Sequence, residues 1–510
     1  MNKQKPLFLS IVALLLLAGC NETSSSSASS ESSTPEDSST VEDSSTTIES
    51  STPDESITSD ESSDSTKPIE ASVLYVSPEA DSYSATGTID DPMTIQRAIR
   101  HSNPGATIYL LDGTYNYGAT VLIDETTEEN PATSIEGRKT LKPLNPGKVL
   151  IDFSKMPWSS NNRGIKVDND FWHIYGLEVK GAGDNGIYVG GSHIIVENCV
   201  THDCGDTGIQ LGRANSTQLT IDEWPSYNLI KNCTSYDNHD PLGEDSDGFA
   251  CKLTTGVGNV FEGCIAYNNV DDGWDLYTKG DTGEIGAVTL INCIAFNNGV
   301  TSGKHTKGVP YGTPNSDGNG FKLGGEVIAV PHKVINCIAF NNLACGFTDN
   351  SNPGPLNIQN CTSYNNGLRD SDANNIDMCR DENTSVNYFK NILSYCDENV
   401  NFQTNVNKHY NSKDQYKGTV VDSIFYYGRT MLQFKGTKAA DYTISAMMGS
   451  ILEAQNSPFV STETPDELSD FHSLWRDENG NISLGDFLKI KDEFVLEAFN
   501  QEIDLGADLA

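Results

Sequence analysis

The sequence predicts an all-β fold, a parallel β-solenoid in which successive coils stack short strands on one another. Two repeats carry this prediction. The first runs Cys233-Thr-Ser-Tyr-Asp-Asn, Cys264-Ile-Ala-Tyr-Asn-Asn, Cys293-Ile-Ala-Phe-Asn-Asn, Cys337-Ile-Ala-Phe-Asn-Asn and Cys361-Thr-Ser-Tyr-Asn-Asn. Its cysteines lie 31, 29, 44 and 24 residues apart, the span of one coil plus a loop of variable length. The second is a glycine ladder: Gly186-Ile187-Tyr188, Gly208-Ile209-Gln210, Gly248-Phe249-Ala250, Gly273-Trp274-Asp275, Gly320-Phe321-Lys322 and Gly346-Phe347-Thr348. Spacings of 22, 40, 25, 47 and 26 give a coil of about 22 to 26 residues with two enlarged loops. Composition agrees, since 44 glycines and only 5 tryptophans in 510 residues favour turns over helical bundles.

Taken in order, residues 1–20 open with Lys3 and Lys5, continue with an apolar run from Leu7 to Leu17, and end Leu17-Ala18-Gly19-Cys20. That run is too short to span a bilayer and reads as a signal peptide. Its end resembles the bacterial lipobox, which implies lipidation at Cys20 and a mature N-terminus there. Between residues 21 and 70, 27 positions are Ser or Thr and 13 are acidic, with no aromatic residue, so nothing there offsets the entropy of ordering. A disordered linker is expected, followed by a folded domain over residues 71–510. Asp90-Asp91-Pro92 ahead of Ile95, Ala98 and Ile99 predicts a short amphipathic helix suited to capping the N-terminal end of the stack. Strands are expected to follow at Thr107 to Leu111 and onward. In each Cys repeat the paired Asn provides residues that tolerate the left-handed conformation of a sharp turn. Periodicity fades beyond about residue 440, and the segment around Phe487-Leu488-Lys489-Ile490 is expected to cover the other end. Asp477-Glu-Asn-Gly-Asn superficially suggests an EF-hand, but Ile482 stands where that loop needs Gly, so a turn is expected.

The formal charge is −38, of which residues 71–510 carry −28. Nucleic acid is thereby excluded as a partner, and an anionic polymer would have to be held by metal cations or by a few placed Lys and Arg. Of 12 cysteines, five follow Asn at equivalent repeat positions (199, 233, 293, 337 and 361), which predicts a buried stack of free thiols. No C-x-x-C pair is present to suggest zinc.

Alternation along a strand decides which ladder residues meet. The position after each glycine is Ile, Ile, Phe, Trp, Phe and Phe, so it points inward and the next one points outward. Asp275 and Lys322 hold that outward position on consecutive coils. Asp247 and Asp272 precede their glycines on consecutive coils. Stacking therefore gathers Asp247, Asp271, Asp272, Asp275 and Lys322 onto one exposed patch. Four carboxylates so close repel unless a cation sits among them, and an all-oxygen set of this kind suits Ca2+. A lysine beside such a dication has its pKa lowered and becomes a competent base.

Asp247-Gly-Phe-Ala-Cys-Lys-Leu, Asp271-Asp-Gly-Trp-Asp-Leu-Tyr and Gly318-Asn-Gly-Phe-Lys-Leu-Gly-Gly resemble the central motifs of the polysaccharide lyase family 9 pectate lyases, over roughly residues 72 to 500. The resemblance implies a right-handed parallel β-helix and Ca2+-dependent β-elimination of polygalacturonate. It also implies calcium ligands Asp247, Asp271, Asp272 and Asp275, with Lys322 as proton acceptor. The implied partner is an acidic plant polysaccharide, the implied location that of an exported bacterial lipoprotein touching membrane only through its anchor, and a monomer is expected. Substrate-binding residues are not identified at this level. The loop from Val300 to Ser316 is long for the family. Lyases of other uronates, a non-catalytic polysaccharide-binding β-helix and a polygalacturonase-type hydrolase are the alternatives, although the chain lacks the Gly-His-Gly segment of those hydrolases.

Overall fold

The structure is a computed structural model. It describes residues 71–509 apart from residue 82 and segments 303–315, 369–373, 379–386, 398–417, 428–429, 439–449, 454–456 and 466–474. The lipobox expected at Cys20, the linker expected over residues 21–70 and most of the loop from 300 to 316 thus lie outside the described residues.

Each repeat folds as one coil that contributes a strand to each of three parallel stacks. In one coil these are Val260–Glu262, Ile265–Tyr267 and Trp274–Asp275. The next coil answers in register with Thr289–Ile291, Ile294–Phe296 and Phe321–Lys322. Sharp bends join the strands, and asparagine makes them. The residue before the repeat Cys has φ of 52° to 55° where it is Asn (Asn198, Asn232, Asn292, Asn336 and Asn360), and Gly263 takes the same place before Cys264 at φ 65°. A second left-handed residue ends each Cys strand, at Asp237, Asn268, Asn297, Asn341 and Asn365. The first member of each Asn pair therefore makes the predicted turn.

The second member does something the pattern did not disclose. Asn238, Asn269, Asn298, Asn342 and Asn366 are buried and pass amide hydrogen bonds from coil to coil, Nδ2 to Oδ1, at 2.8, 3.0, 2.9 and 2.8 Å. Beside them the thiols of Cys199, Cys233, Cys264, Cys293, Cys337 and Cys361 line the core, and every described cysteine is free and buried. Aliphatic and aromatic side chains fill the rest of the interior. The core is thus a set of columns, each built from one repeat position.

The capping helix forms at Ile95–His101, with Ile95, Ala98 and Ile99 buried as expected. Its N-cap is Thr94, whose hydroxyl accepts from Arg97 N, while Asp91 instead accepts from the backbone and side chain of Thr86.

The expectation for residues around 487–490 needs correction. At the open end the strand Gly418–Tyr427 is continued by antiparallel strands Thr430–Lys438 and Ser450–Glu453. Residues 475–509 run along the flank of the helix instead. Trp475, Phe487, Leu488, Phe499 and Leu505 cover two outward columns, Ile265, Ile294, Ile338 and Leu393 in one and Phe296, Phe340 and Tyr364 in the other. Arg476 donates to the carbonyls of Gly263 and Cys233, and Gly506 N to Asn391 O. The reason is hydrophobic: these outward rings stack 4.8–4.9 Å apart and, left uncovered, would face water. Asp477 is a turn, its Oδ1 accepting from the amides of Asn479 and Asn481.

Candidate active site

The third stack, nine strands from Val121–Ile123 to Ile376–Asp377, carries the acidic residues. Phe249, Trp274, Phe321 and Phe347 pair in register and stack inward with ring centroids 4.7, 4.8 and 4.8 Å apart. Their neighbours Ala250, Asp275, Lys322 and Thr348 therefore turn outward as one column. Glycine is required just before the rings. A Cβ on Gly273 would sit 2.6 Å from Gly320 O and 2.9 Å from the Asn298 amide, so the chain passes directly over the asparagine ladder.

This register brings together the residues expected. Asp247, Asp272 and Asp275 each present an oxygen within 4.8 Å of the others. Asp271 stands beside them, its Oδ1 accepting from Asp317 N at 2.5 Å. Asp272 Oδ1 accepts from Asn319 N at 2.6 Å and Asn319 Nδ2 at 2.9 Å. Asp247 accepts from Asp272 N at 3.2 Å and from Thr207 Oγ1 at 3.1 Å. Lys322 Nζ lies 3.2 Å from Asp272 Oδ2 and 2.9 Å from Asp317 Oδ2. Lys252 bridges Asp247 and Asp275 at 2.8 and 3.0 Å.

The patch is not exposed as the alternation suggested. Asp247 and Asp272 are wholly buried and Lys322 is only 8% exposed, packed among the ion pairs and hydrogen bonds that these residues make with one another and with Lys252 and Asn319. Burial decides the electrostatics. Desolvation raises the Asp247 and Asp271 carboxyls well above their usual range, and neighbouring carboxylates add to it. Asp272 is pushed up to about 6 by burial even though Lys322 pulls the other way. For Lys322 burial acts downward, but Asp272, Asp275, Asp271 and Asp317 outweigh it and hold the ammonium well above its ordinary value. The expected lowering is tied to a bound dication, which would cancel those same carboxylates.

The donor set fits a hard cation. Asp275 Oδ1 is buried without a hydrogen-bond donor, a costly state for a carboxylate oxygen unless a charge meets it, and Asp272 Oδ2 is met only by the Lys322 ammonium at 3.2 Å. Every candidate ligand atom is oxygen, and the Lys252 ammonium already sits between two of the carboxylates.

Sequence reasoning missed Thr207 and Asn319 as members of the site. Both occupy the position before a ladder glycine, the column of Asp247 and Asp272, so that column was a usable signal. Asp317 had none, since it follows a long loop that hides its register.

A family described as Pel9A-like, right handed beta helix region, matches residues 74–417. The chain is 40% identical over 429 residues to pectate lyase L of Paenibacillus polymyxa (strain SC2), covering 83% of this chain and 82% of that protein. It is 44% identical over 300 residues to pectate lyase L of Thermoclostridium stercorarium, spanning 58% of this chain but 23% of that longer protein. Among solved structures, the crystal structure of pectate lyase Pel9A is similar with a TM-score of 0.59 and 26% identity, over 82% of this chain and 89% of that one.

Proposed function

The chain belongs to the Pel9A-like right-handed β-helix family, and from that membership we infer that it is a pectate lyase, cleaving polygalacturonate by β-elimination. The observation that carries the site assignment is the buried group of Asp247, Asp272 and Asp275 with Lys322 against it. In this reading Asp247, Asp272 and Asp275, joined by Asp271, hold Ca2+. When bound, the ion supplies a positive partner for the uronate carboxylate and so acidifies the adjacent C5 proton. Lys322 Nζ takes that proton. The C5–H electron pair becomes the C4–C5 double bond, the C4–O bond breaks, and the leaving oxygen takes a proton from water. Lys322 is placed for this by the strand backbone, and Asp317, 2.9 Å away, receives its ammonium afterwards. Asn319 fixes Asp272 through two donors, so the carboxylate needs no rearrangement during the reaction.

The test is to follow the ultraviolet absorbance of the conjugated product on polygalacturonate, with calcium and with chelator. Calcium-dependent appearance of unsaturated ends is expected; no product with calcium, or an equal rate in chelator, overturns the reading.

Export as a lipoprotein is part of the same proposal, supported by Leu17-Ala18-Gly19-Cys20 and the acidic Ser/Thr linker. It places a monomeric enzyme at the cell surface or outer membrane, tethered at Cys20. Label from palmitate should enter the wild-type protein and be absent from Cys20→Ala; an unlabelled wild type disproves the tether.

A further inference from the structure

The column holding the aspartates continues upstream of the ladder read from the sequence. Ile165, Ile187, Ile209, Phe249 and Trp274 pair in unbroken register. Two residues before each stand Arg163, Asn185, Thr207, Asp247 and Asp272. Arg163 is thus three rungs from Asp247, about 15 Å, and five rungs from the coil of Lys322, about 24 Å.

Its guanidinium is fixed without being used up. Cζ lies 3.6 Å from the centre of the Tyr188 ring, and the Tyr188 hydroxyl is anchored on Arg213 O at 2.8 Å. Nε meets Asn185 Oδ1 and Asp184 Oδ2, each at 3.2 Å. Among the described residues no acceptor takes either Nη, and a quarter of the side chain is exposed. Burial and the neighbouring Asp206 push the Asp184 carboxyl up to about 8, so near neutral pH it does not cancel the guanidinium. What remains is a planar pair of donors, held in place, of the kind that takes a carboxylate through two bonds.

Trp158 flanks the same turn. Its Nε1 donates to Gly205 O at 2.9 Å, and its ring lies so close to Gly205 that a Cβ there would be 2.5 Å from Cδ1. The loop behind it rests on Gly183, the residue before Asp184, through Ser159 N to Gly183 O at 3.0 Å. Half of the indole remains open to solvent.

We propose that Trp158 and Arg163 form a distal subsite for the acidic polysaccharide, Arg163 taking the carboxylate of a uronate several sugars from the cleaved bond and Trp158 covering the apolar face of an adjoining ring. The proposal rests on the pectate lyase reading. It gives the acidic domain a fixed cation along the same column, where a chain lying over the rungs would pass. Three sugars are too short to join Lys322 to Arg163, and a polymer is not.

The experiment compares kcat/KM on polygalacturonate with kcat/KM on trigalacturonate. The ratio should fall about tenfold in both Arg163→Ala and Trp158→Ala, and Arg163→Lys and Trp158→Phe should recover part of it. Binding alone is read by migration through gels containing polygalacturonate, using Lys322→Ala as the inert background, where adding Arg163→Ala should reduce retardation. A ratio unchanged in either alanine variant, including equal losses on both substrates, overturns the subsite. A wild type that releases no unsaturated product overturns the activity reading instead, and the gel measurement then still decides whether Arg163 and Trp158 hold the polymer.

Discussion

Asp275 and Lys322 stand side by side on adjacent strands, in direct register, with two further strands and a long loop between them in the chain. A candidate metal ligand and the candidate base are therefore held at the spacing of one rung by backbone hydrogen bonds, while the loop is free to differ in length and sequence. Precision at the site is inherited from the stack.

Lys322→Ala should keep the fold and lower turnover by about 10² to 10⁴, the usual contribution of a positioned base. Lys322→Arg should recover little, because a guanidinium does not give up its proton. Steady-state rates of unsaturated product decide; either variant above about half the wild-type rate removes Lys322 from the mechanism.

Asp272→Asn should weaken calcium binding by about tenfold or more, since one charged oxygen ligand is lost, as read by calorimetric titration. The metal-free variant should melt no lower than the metal-free wild type. Burial raises the Asp272 carboxyl to about 6, so near neutral pH its charge costs the folded state stability, and the neutral amide removes that cost. A metal-free variant several degrees less stable would contradict this account.

His332 makes a pH prediction away from the site. It is fully buried, its Nδ1 accepts from Val288 N at 3.0 Å, and desolvation lowers it from 6.5 to about 3. Between those values the unfolded chain binds a proton that the folded chain refuses. Stability contributed by the neutral ring is complete above about 6.5 and is lost as pH falls toward 3, at about 1.4 kcal/mol per unit. His332→Asn keeps an acceptor for Val288, so its urea midpoint should fall less steeply with acid than the wild type's. Parallel slopes would refute the assignment.

Asn298→Ala interrupts the amide ladder in its middle. Asn298 Oδ1 accepts from both the backbone and Nδ2 of Asn269, and its own Nδ2 donates to Asn342. Buried donors left unpaired on one neighbour, and a lost donor on the other, should cost about 2–4 kcal/mol, measured by chemical denaturation. A loss under about 0.5 kcal/mol would mean that the ladder is ornamental to stability.

The solenoid was legible because stacking makes every coil solve the same packing problem, so Gly248, Gly273 and Gly320, or Cys264, Cys293 and Cys337, repeat visibly. The carboxylates and Lys322 were legible for the same reason, through their offsets from those glycines. The burial of that patch was not, because alternation distinguishes inside from outside but says nothing of how tightly Lys252, Lys322 and Asn319 pack against the carboxylates on the outside. Lys252 stands in the sequence only as the lysine of Asp247-Gly-Phe-Ala-Cys-Lys-Leu; its bridge between Asp247 and Asp275 depends on side-chain reach across a rung. The path of residues 475–509 is the largest gap, for the segment has no repeat and its position is fixed by partners far away in the chain.

Those distant partners impose an order on folding. Arg476 grips Gly263 and Cys233, more than two hundred positions earlier. Coils can stack one upon another as the chain emerges, each needing only its predecessor. The rings of Tyr267, Phe296 and Phe340 nevertheless stay bare until Trp475 and Phe487 have been made. Residues 475–509 thus work as a latch: a nascent chain that has not yet reached them, or one cut short near residue 470, displays a sticky aromatic stripe that the folded protein hides.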